Sequence, residues 1–311
     1  MSTSHSIVVV GSSNTDMVIK TAHFPAPGET ILGGHFFMFP GGKGANQAVA
    51  AARLDGKVIF IARVGGDIFG QQAIDQFNKE GIDTTWIKTD PSHASGVALI
   101  TVDDKGENTI VVAQGSNATL SPDDVEAASN AIRQASIFLA QLETPIETVM
   151  HVAKFAKGLG KKMILNPAPG RKLPDELFQY LYLITPNETE AELITGIAIR
   201  DLDSAKHAAE NLRSRGVQNV IITLGSEGSF VLTADGATHV KAPVVKAIDT
   251  TAAGDVFNGA LAVAMSEGKT LEVAVGFANH AAAMSVTRMG AQSSAPYRSE
   301  LIAMMADQIK S

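Results

Sequence analysis

Short apolar runs rich in β-branched residues recur between helix-patterned stretches, and this alternation constrains the fold more than any other feature of the chain. Ser6-Ile7-Val8-Val9-Val10-Gly11 is continuously apolar and stops at glycine, the pattern of a strand buried on both faces of a parallel sheet. Comparable runs cover Val58 to Val64, Ile137 to Ala140, Met163 to Leu165, Leu181 to Thr185 and Val220 to Leu224. Helix-like segments lie among them at Gly44 to Leu54, Ile68 to Glu80, Pro122 to Gln134 and Ser204 to Arg215. The alternation predicts an α/β fold with a mostly parallel central sheet and helices on both faces.

Two regions break the rhythm. Asp16 to Phe39 carries Pro25, Pro27, Gly28, Gly33 and Gly34 among short apolar pieces. Gly96 to Val102 returns through Asp103-Asp104-Lys105-Gly106-Glu107 to Thr109-Ile110-Val111-Val112, which reads as a β-hairpin. Hairpins of this kind do not easily join a parallel sheet. They predict a small separate β-sheet acting as a lid, formed by about residues 14–39 and 96–113. From Gly254 to Lys310 the period is nearly all helical. With no internal repeat or linker, residues 1–311 are expected to form one domain.

Composition removes several classes of function. The absence of cysteine excludes a disulfide framework, a thiolate nucleophile and sulfur-based zinc sites. Lys and Arg number 25 against 32 Asp and Glu, so the net charge of −7 repels phosphate at long range and argues against a nucleic-acid partner. Met1 to Ser6 lacks a basic leader region, and Ile7 to Val10 is too short for the apolar part of one. No run approaches the roughly 18 apolar residues of a membrane span. A soluble cytoplasmic protein without a membrane partner is expected.

Four segments carry chemistry. Asp249-Thr250-Thr251-Ala252-Ala253-Gly254-Asp255 runs into an apolar helix, and small residues there leave the first N–H groups open to an anion such as a phosphoryl group. The alternative is that Asp255 only complements the helix dipole while Thr250 or Thr251 caps. Pro40-Gly41-Gly42-Lys43-Gly44-Ala45-Asn46-Gln47 lets backbone approach a ligand closely, or is a plain turn; it is neither a Walker A loop nor a dinucleotide fingerprint. Asn187 and Glu190 lie on one helical face and either hold hydrated Mg²⁺ or form a capping box. Thr223-Leu224-Gly225-Ser226-Glu227-Gly228 sits at the carboxyl end of a strand, where open α/β sheets bind ligands, and is otherwise a strand-to-strand turn.

Together with Asn14 and Asp16 near the amino end, these segments resemble the ribokinase family of carbohydrate kinases across almost the whole chain. Asn166-Pro167-Ala168-Pro169 and Thr287-Arg288-Met289-Gly290-Ala291-Gln292 match as well. One departure is Ala252, where most of the wider family has glycine. The resemblance implies ATP-dependent phosphorylation of D-ribose at O5. On it, Asp255 is the catalytic base and the N–H groups of Ala252, Ala253, Gly254 and Asp255 form the anion hole. The sugar is held by Asn14, Asp16, Gly42, Lys43, Asn46 and Glu143. ATP is met by Asn187, Thr223, Gly225, Ser226, Gly228, Gly254 and Asn279, with Glu190 acting on Mg²⁺ through water. The resemblance also implies a K⁺ activator at Asp249, Thr251, Ser285, Arg288, Gly290 and Ser294, and a homodimer through the lid sheets, with which the apolar run His35-Phe36-Phe37-Met38-Phe39 agrees.

Three other readings compete. The acceptor could be 2-deoxyribose, fructose or adenosine; adenosine fits least, because only 17 of 311 residues are aromatic and a nucleoside usually wants stacking surfaces. A nicotinamide-dependent oxidoreductase lacks its glycine spacing after the first strand. A non-catalytic sugar sensor would not need Asp255, Lys43 and Glu190 together.

Overall fold

The computed structural model describes residues 6–310, so the reading of Met1 to His5 lies outside the described residues. In chain order the elements are β1 (Ser6–Val10), β2 (Asn14–Lys20), β3 (His35–Gly41), α1 (Lys43–Arg53), β4 (Lys57–Gly65), α2 (Ile68–Lys79), β5 (Ile87–Asp90), β6 (Gly96–Val102) and β7 (Asn108–Ala113). There follow α3 (Pro122–Ile132), β8 (Ile137–Ala140), α4 (Ile146–Gly158), β9 (Lys162–Leu165), α5 (Asp175–Phe178), β10 (Leu183–Ile184), α6 (Glu188–Thr195) and α7 (Leu202–Ser214). The chain closes with β11 (Asn219–Thr223), β12 (Ser229–Leu232), β13 (Ala237–Val240), α8 (Ala253–Ser266), α9 (Leu271–Ser285) and α10 (Arg298–Lys310).

A nine-stranded sheet has the order β13-β12-β11-β10-β9-β8-β1-β4-β5. It is parallel from β11 to β5, with β12 and β13 added antiparallel at one edge. The apolar runs form these strands because both faces are covered: Ile7 and Val9 point into one core cluster with α1, α8 and α9, while Val8 and Val10 point into another with α3, α4 and α7. The expected strand from Leu181 to Thr185 shortens to β10, and the antiparallel edge and β5 are additions that carry little apolar periodicity.

β1 is flanked by β4 and β8, so the chain leaves β1 toward one edge and later returns to build the other. That reversal opens a crevice at the carboxyl ends of the strands, the place where doubly wound sheets take ligands. Above it stands a second sheet of four strands, in the order β3-β2-β6-β7. β6 and β7 pair as the expected hairpin, and Asn14 pairs with Gly41 on one side and Gly96 on the other. The small sheet leaves Phe36, Leu99, Ile110 and Val111 more than half exposed, at 59%, 55%, 54% and 69%. Among the described residues no helix is long and apolar enough to cross a membrane.

Candidate active site

α1 and α8 pack at a separation that only glycine allows. A Cβ on Gly259 would stand 2.7 Å from the Gln47 carbonyl oxygen and 2.8 Å from the Ala50 Cβ. This contact brings the first turn of α8 against Asn46 and Gln47. Asp255, buried at 5% exposure, accepts a hydrogen bond on Oδ2 from Asn46 Nδ2 at 2.9 Å and one on Oδ1 from Gln47 Nε2 at 2.9 Å. Asn46 Oδ1 is buried with no partner among the described residues, an acceptor left open.

The start of α8 is bare. Its N-cap is Ala252, in the left-handed region at φ 59°, and no side chain caps it, so neither Thr250 nor Thr251 serves as the cap. The Ala253 N–H makes a long bond of 3.3 Å to the Thr250 carbonyl. Gly254 is exposed, and a Cβ there would meet nothing within 4 Å. These groups line a pocket of about 540 Å³, open solvent included, together with Lys43, Asn187, Glu190, Thr223 and Asp255. Unpaired helix N–H groups beside a lysine favour an anion.

The charges of the cleft interact. Asp255 raises the pKa of Lys43 most, helped by Glu143, Glu190 and Asp16, while burial opposes them. Burial pushes Asp16 up to about 6, with Glu143 and Asp255 adding to the rise and Lys43 opposing it. Glu190 is also raised, first by burial, and its bond from the Asn187 backbone works the other way. Asn187 and Glu190 do form the capping box: Glu190 N–H donates to Asn187 Oδ1 at 2.8 Å, and Asn187 N–H to Glu190 Oε2 at 3.0 Å. The capping carboxylate also lines the pocket.

A second pocket, of about 580 Å³ with open solvent included, lies under the small sheet between Asn14, Asn117, Glu143, Val112, Gln114 and Pro169. Glu143 Oε2 accepts from Ser12 Oγ at 2.5 Å and from the Lys43 backbone at 2.9 Å, and Asn14 Oδ1 accepts from Asn117 Nδ2 at 2.7 Å. Gly42, at φ 89°, has no room for a Cβ, which would lie 2.7 Å from the Asn14 nitrogen. Of the expected sugar residues Asn14 and Glu143 line this pocket, Gly42 packs against Asn14, Asp16 on β2 lies against Gly41, and Asn46 in α1 faces Asp255. The Lys43 backbone belongs to this pocket's frame, whereas its side chain lines the pocket at α8.

On the far side of α8, Gly225, Ser226, Ala242, Pro243, Val245 and Val286 line a third, more apolar pocket of about 980 Å³, open solvent included. Asn279 reaches this wall, but its polar atoms are committed: Oδ1 accepts from Ser229 Oγ at 2.8 Å and Nδ2 donates to the Val240 carbonyl at 2.9 Å. Gly228 lines none of these three pockets; at φ 95° a Cβ would sit 2.2 Å from the Val240 oxygen, so the turn itself requires glycine.

Asp249 ties two loops beside α8. Its Oδ1 accepts from the Thr251 N–H at 2.9 Å and its Oδ2 from the Gly290 N–H at 2.8 Å, while Ile248 N–H donates to the Val286 carbonyl. Thr251, Arg288 and Gly290 lie on these two loops, Ser285 is the last residue of α9, and Ser294 ends the short 3₁₀ turn that follows. The side chains themselves are occupied: Ser285 Oγ donates to the Ala282 carbonyl, Ser294 Oγ to the Ala291 carbonyl, and Arg288 pairs with Glu300. Among the described residues no three His, Asp or Glu cluster as a metal site, so a cation here would be held by backbone carbonyls, lone carboxylates and water.

The matching family model is that of the pfkB family carbohydrate kinases, over residues 4–298. The chain belongs to this family. It is 47% identical to a ribokinase of Haemophilus influenzae over 95% of this chain and 97% of the relative. It is 40% identical to a deoxyribokinase of Salmonella typhi over 93% and 95%. A ribokinase of Arabidopsis thaliana, solved with ribose and ATP, superimposes with a TM-score of 0.90 at 32% identity, covering 96% of this chain and 98% of that one.

Sequence reasoning left out Gln47, Asn117, Asn258 and the apolar segment 242–247. Gln47 had a usable signal, two adjacent polar residues inside an alanine-rich buried helix. Asn117 sits in a short 3₁₀ turn over 115–119 and residues 242–247 in irregular backbone, with no periodicity to mark them.

Proposed function

We propose that this kinase transfers the γ-phosphoryl of ATP to O5 of D-ribose, giving D-ribose 5-phosphate and ADP. The observation that carries the reading is the buried Asp255 carboxylate at an uncapped helix N-terminus, opening into one cleft with Lys43 and Glu190. Ribose occupies the cleft between the pocket of Asn14 and Glu143 and the Asp255 carboxylate, with Asp16, Gly42 and Asn46 as further contacts, where fixed acceptors and amides match alternating hydroxyl groups. Its primary hydroxyl faces Asp255. The hydroxyl proton passes to the carboxylate as the oxygen bonds to the γ-phosphorus, and the bond from phosphorus to the bridging oxygen breaks to release ADP. The N–H groups of Ala252, Gly254 and Asp255, with a weaker share from Ala253, take up the charge on the transferring group.

The adenine end lies in the apolar pocket at Gly225, Ser226 and Val245, and Thr223 and Asn187 face the phosphates. Asn279 supports that wall through Ser229, and Gly228 shapes its turn. Glu190 fits Mg²⁺ held through water, since a single half-buried carboxylate beside a phosphate site suits an ion that keeps its hydration. Mg²⁺ supplies charge neutralisation on the phosphates. The loops joined by Asp249 fit K⁺ through the carbonyls of Thr251, Ser285, Arg288 and Gly290, with Ser294 alongside, and the cation would fix the backbone before α8. The small sheet serves as the lid that excludes water. Its exposed Phe36, Leu99 and Val111 support a homodimer, which sedimentation velocity checks by mass. A cytoplasmic location belongs to the same reading, because ATP is the donor.

ADP release coupled to ribose addition tests the activity. Asp255→Asn is expected to lose roughly 10²–10⁴-fold in turnover while ADP binding persists; near-normal turnover overturns the assignment of the base. The same assay is expected to run more slowly in Na⁺ or Li⁺ than in K⁺, and equal rates remove the cation site. Because a 40% identical relative is a deoxyribokinase, kcat/KM for ribose is to be compared with 2-deoxyribose and fructose; a higher value for either replaces ribose as the acceptor.

A further inference from the structure

Beneath Asp255 lies a buried chain of amides that the reaction as described does not use. Gln47 is fully buried, and its Nε2 donates one hydrogen to Asp255 Oδ1 at 2.9 Å and the other to Asn166 Oδ1 at 3.0 Å. Its Oε1 accepts from Gln141 Nε2 at 2.5 Å. Asn166 is held in turn by donating Nδ2 to the Thr185 carbonyl at 3.2 Å. The amide of Gln47 therefore has one workable orientation: a flip would set Oε1 against two acceptors and Nε2 against a donor.

We propose that Gln47 is a positioning residue for phosphoryl transfer, fixing the plane of the Asp255 carboxylate. The inference rests on Asp255 being the base. With Asn46 on one oxygen and Gln47 on the other, the carboxylate is clamped from two adjacent residues of one helix and cannot rotate about its χ2 axis without losing both bonds. Each oxygen keeps a lone pair for an incoming hydroxyl. A purely structural role is a poor explanation, because a buried polar network adds little net stability over apolar packing of similar volume. The close approach of α1 and α8 at Gly259 serves the same end, since it brings Gln47 within bonding distance of the acid.

Gln47→Met keeps the length of the side chain and removes the donors. Steady-state kinetics are expected to show kcat lowered roughly 10²-fold, with KM for ribose and ATP little changed. A merely structural lesion would not separate kcat from KM in this way. Gln141→Leu, which removes only the clamp on Gln47, should lower kcat in the same manner by less, and ADP binding by calorimetry identifies folded variants. An unchanged kcat in both folded variants, or a loss confined to KM, overturns the role of Gln47. Asp255→Asn separates the two ideas: if it is inactive while Gln47→Met is normal, the base stands and the positioning residue falls.

Discussion

The two ends of the cleft are built in opposite ways. At the sugar end, side chains are buried and already bonded to one another before any ligand arrives, as with Glu143 on Ser12 and the Lys43 backbone and Asn14 on Asn117. At the nucleotide end the wall is an exposed turn at Gly225 and Ser226 and an apolar, irregular stretch from 242 to 247, with the bare start of α8 between the two ends. Prebuilt acceptors lose little conformational freedom on binding and discriminate hydroxyl positions, whereas an open apolar wall accepts a flat ring without specifying much. On the proposed assignment, selectivity for the acceptor rests on polar contacts and tolerance for the donor on shape.

The largest effect that would break this contrast is expected where the ends meet. Gly254 faces the pocket and has open space at its Cβ, so Gly254→Val should leave the fold intact but intrude on the proposed phosphoryl site. Turnover should fall roughly 10²-fold with the thermal midpoint unchanged. A variant with full activity would show that the helix start is not where charge is stabilised.

At the sugar end the expected effect is smaller and depends on pH. Asp16 titrates near 6 in the folded chain against 3.8 unperturbed, because burial disfavours its charge. The native state therefore binds the extra proton between these values, and the stability this confers is present at low pH and is lost as pH rises through about 6. Ribose binding runs the other way, since the ionised form is the acceptor: KM for ribose should climb as pH falls below about 6. Asp16→Asn should flatten that climb, raise KM at pH 7 roughly tenfold, and be more stable than the parent at pH 7. A KM profile identical in parent and variant removes Asp16 from the sugar contacts.

The same division governs what the sequence made legible. The parallel strands were readable because both faces are buried and the runs are continuously apolar, and the hairpin of β6 and β7 because its turn is marked by Asp103 to Gly106. β10 is shorter than the expected run: Leu181 and Thr185 are buried and flank it, and the Thr185 N–H still donates to the Leu165 carbonyl of β9. Site residues announced themselves where small residues break a pattern, as at Gly42 and Ala252. Gln47 and Asn117 did not, because their meaning lies in partners 208 and 103 positions away in the chain. Asn279 shows the converse: an unusual polar residue in an apolar helix whose partners are structural.

The smallest expected effect concerns Ala252. Its φ of 59° belongs to a region where a Cβ crowds the following carbonyl, at a cost of roughly 1–2 kcal/mol, and glycine would relieve it. Glycine also enlarges the unfolded ensemble, which offsets about 0.4–1 kcal/mol of that gain. Ala252→Gly should therefore raise stability slightly in chemical denaturation. The alanine restricts the backbone just before the bare helix start, so the same variant should lose a small part of its turnover while keeping its KM for ribose, a change confined to one end of the cleft. A variant less stable than the parent would mean that the loop tied by Asp249 holds residue 252 in a conformation that alanine already accepts without strain.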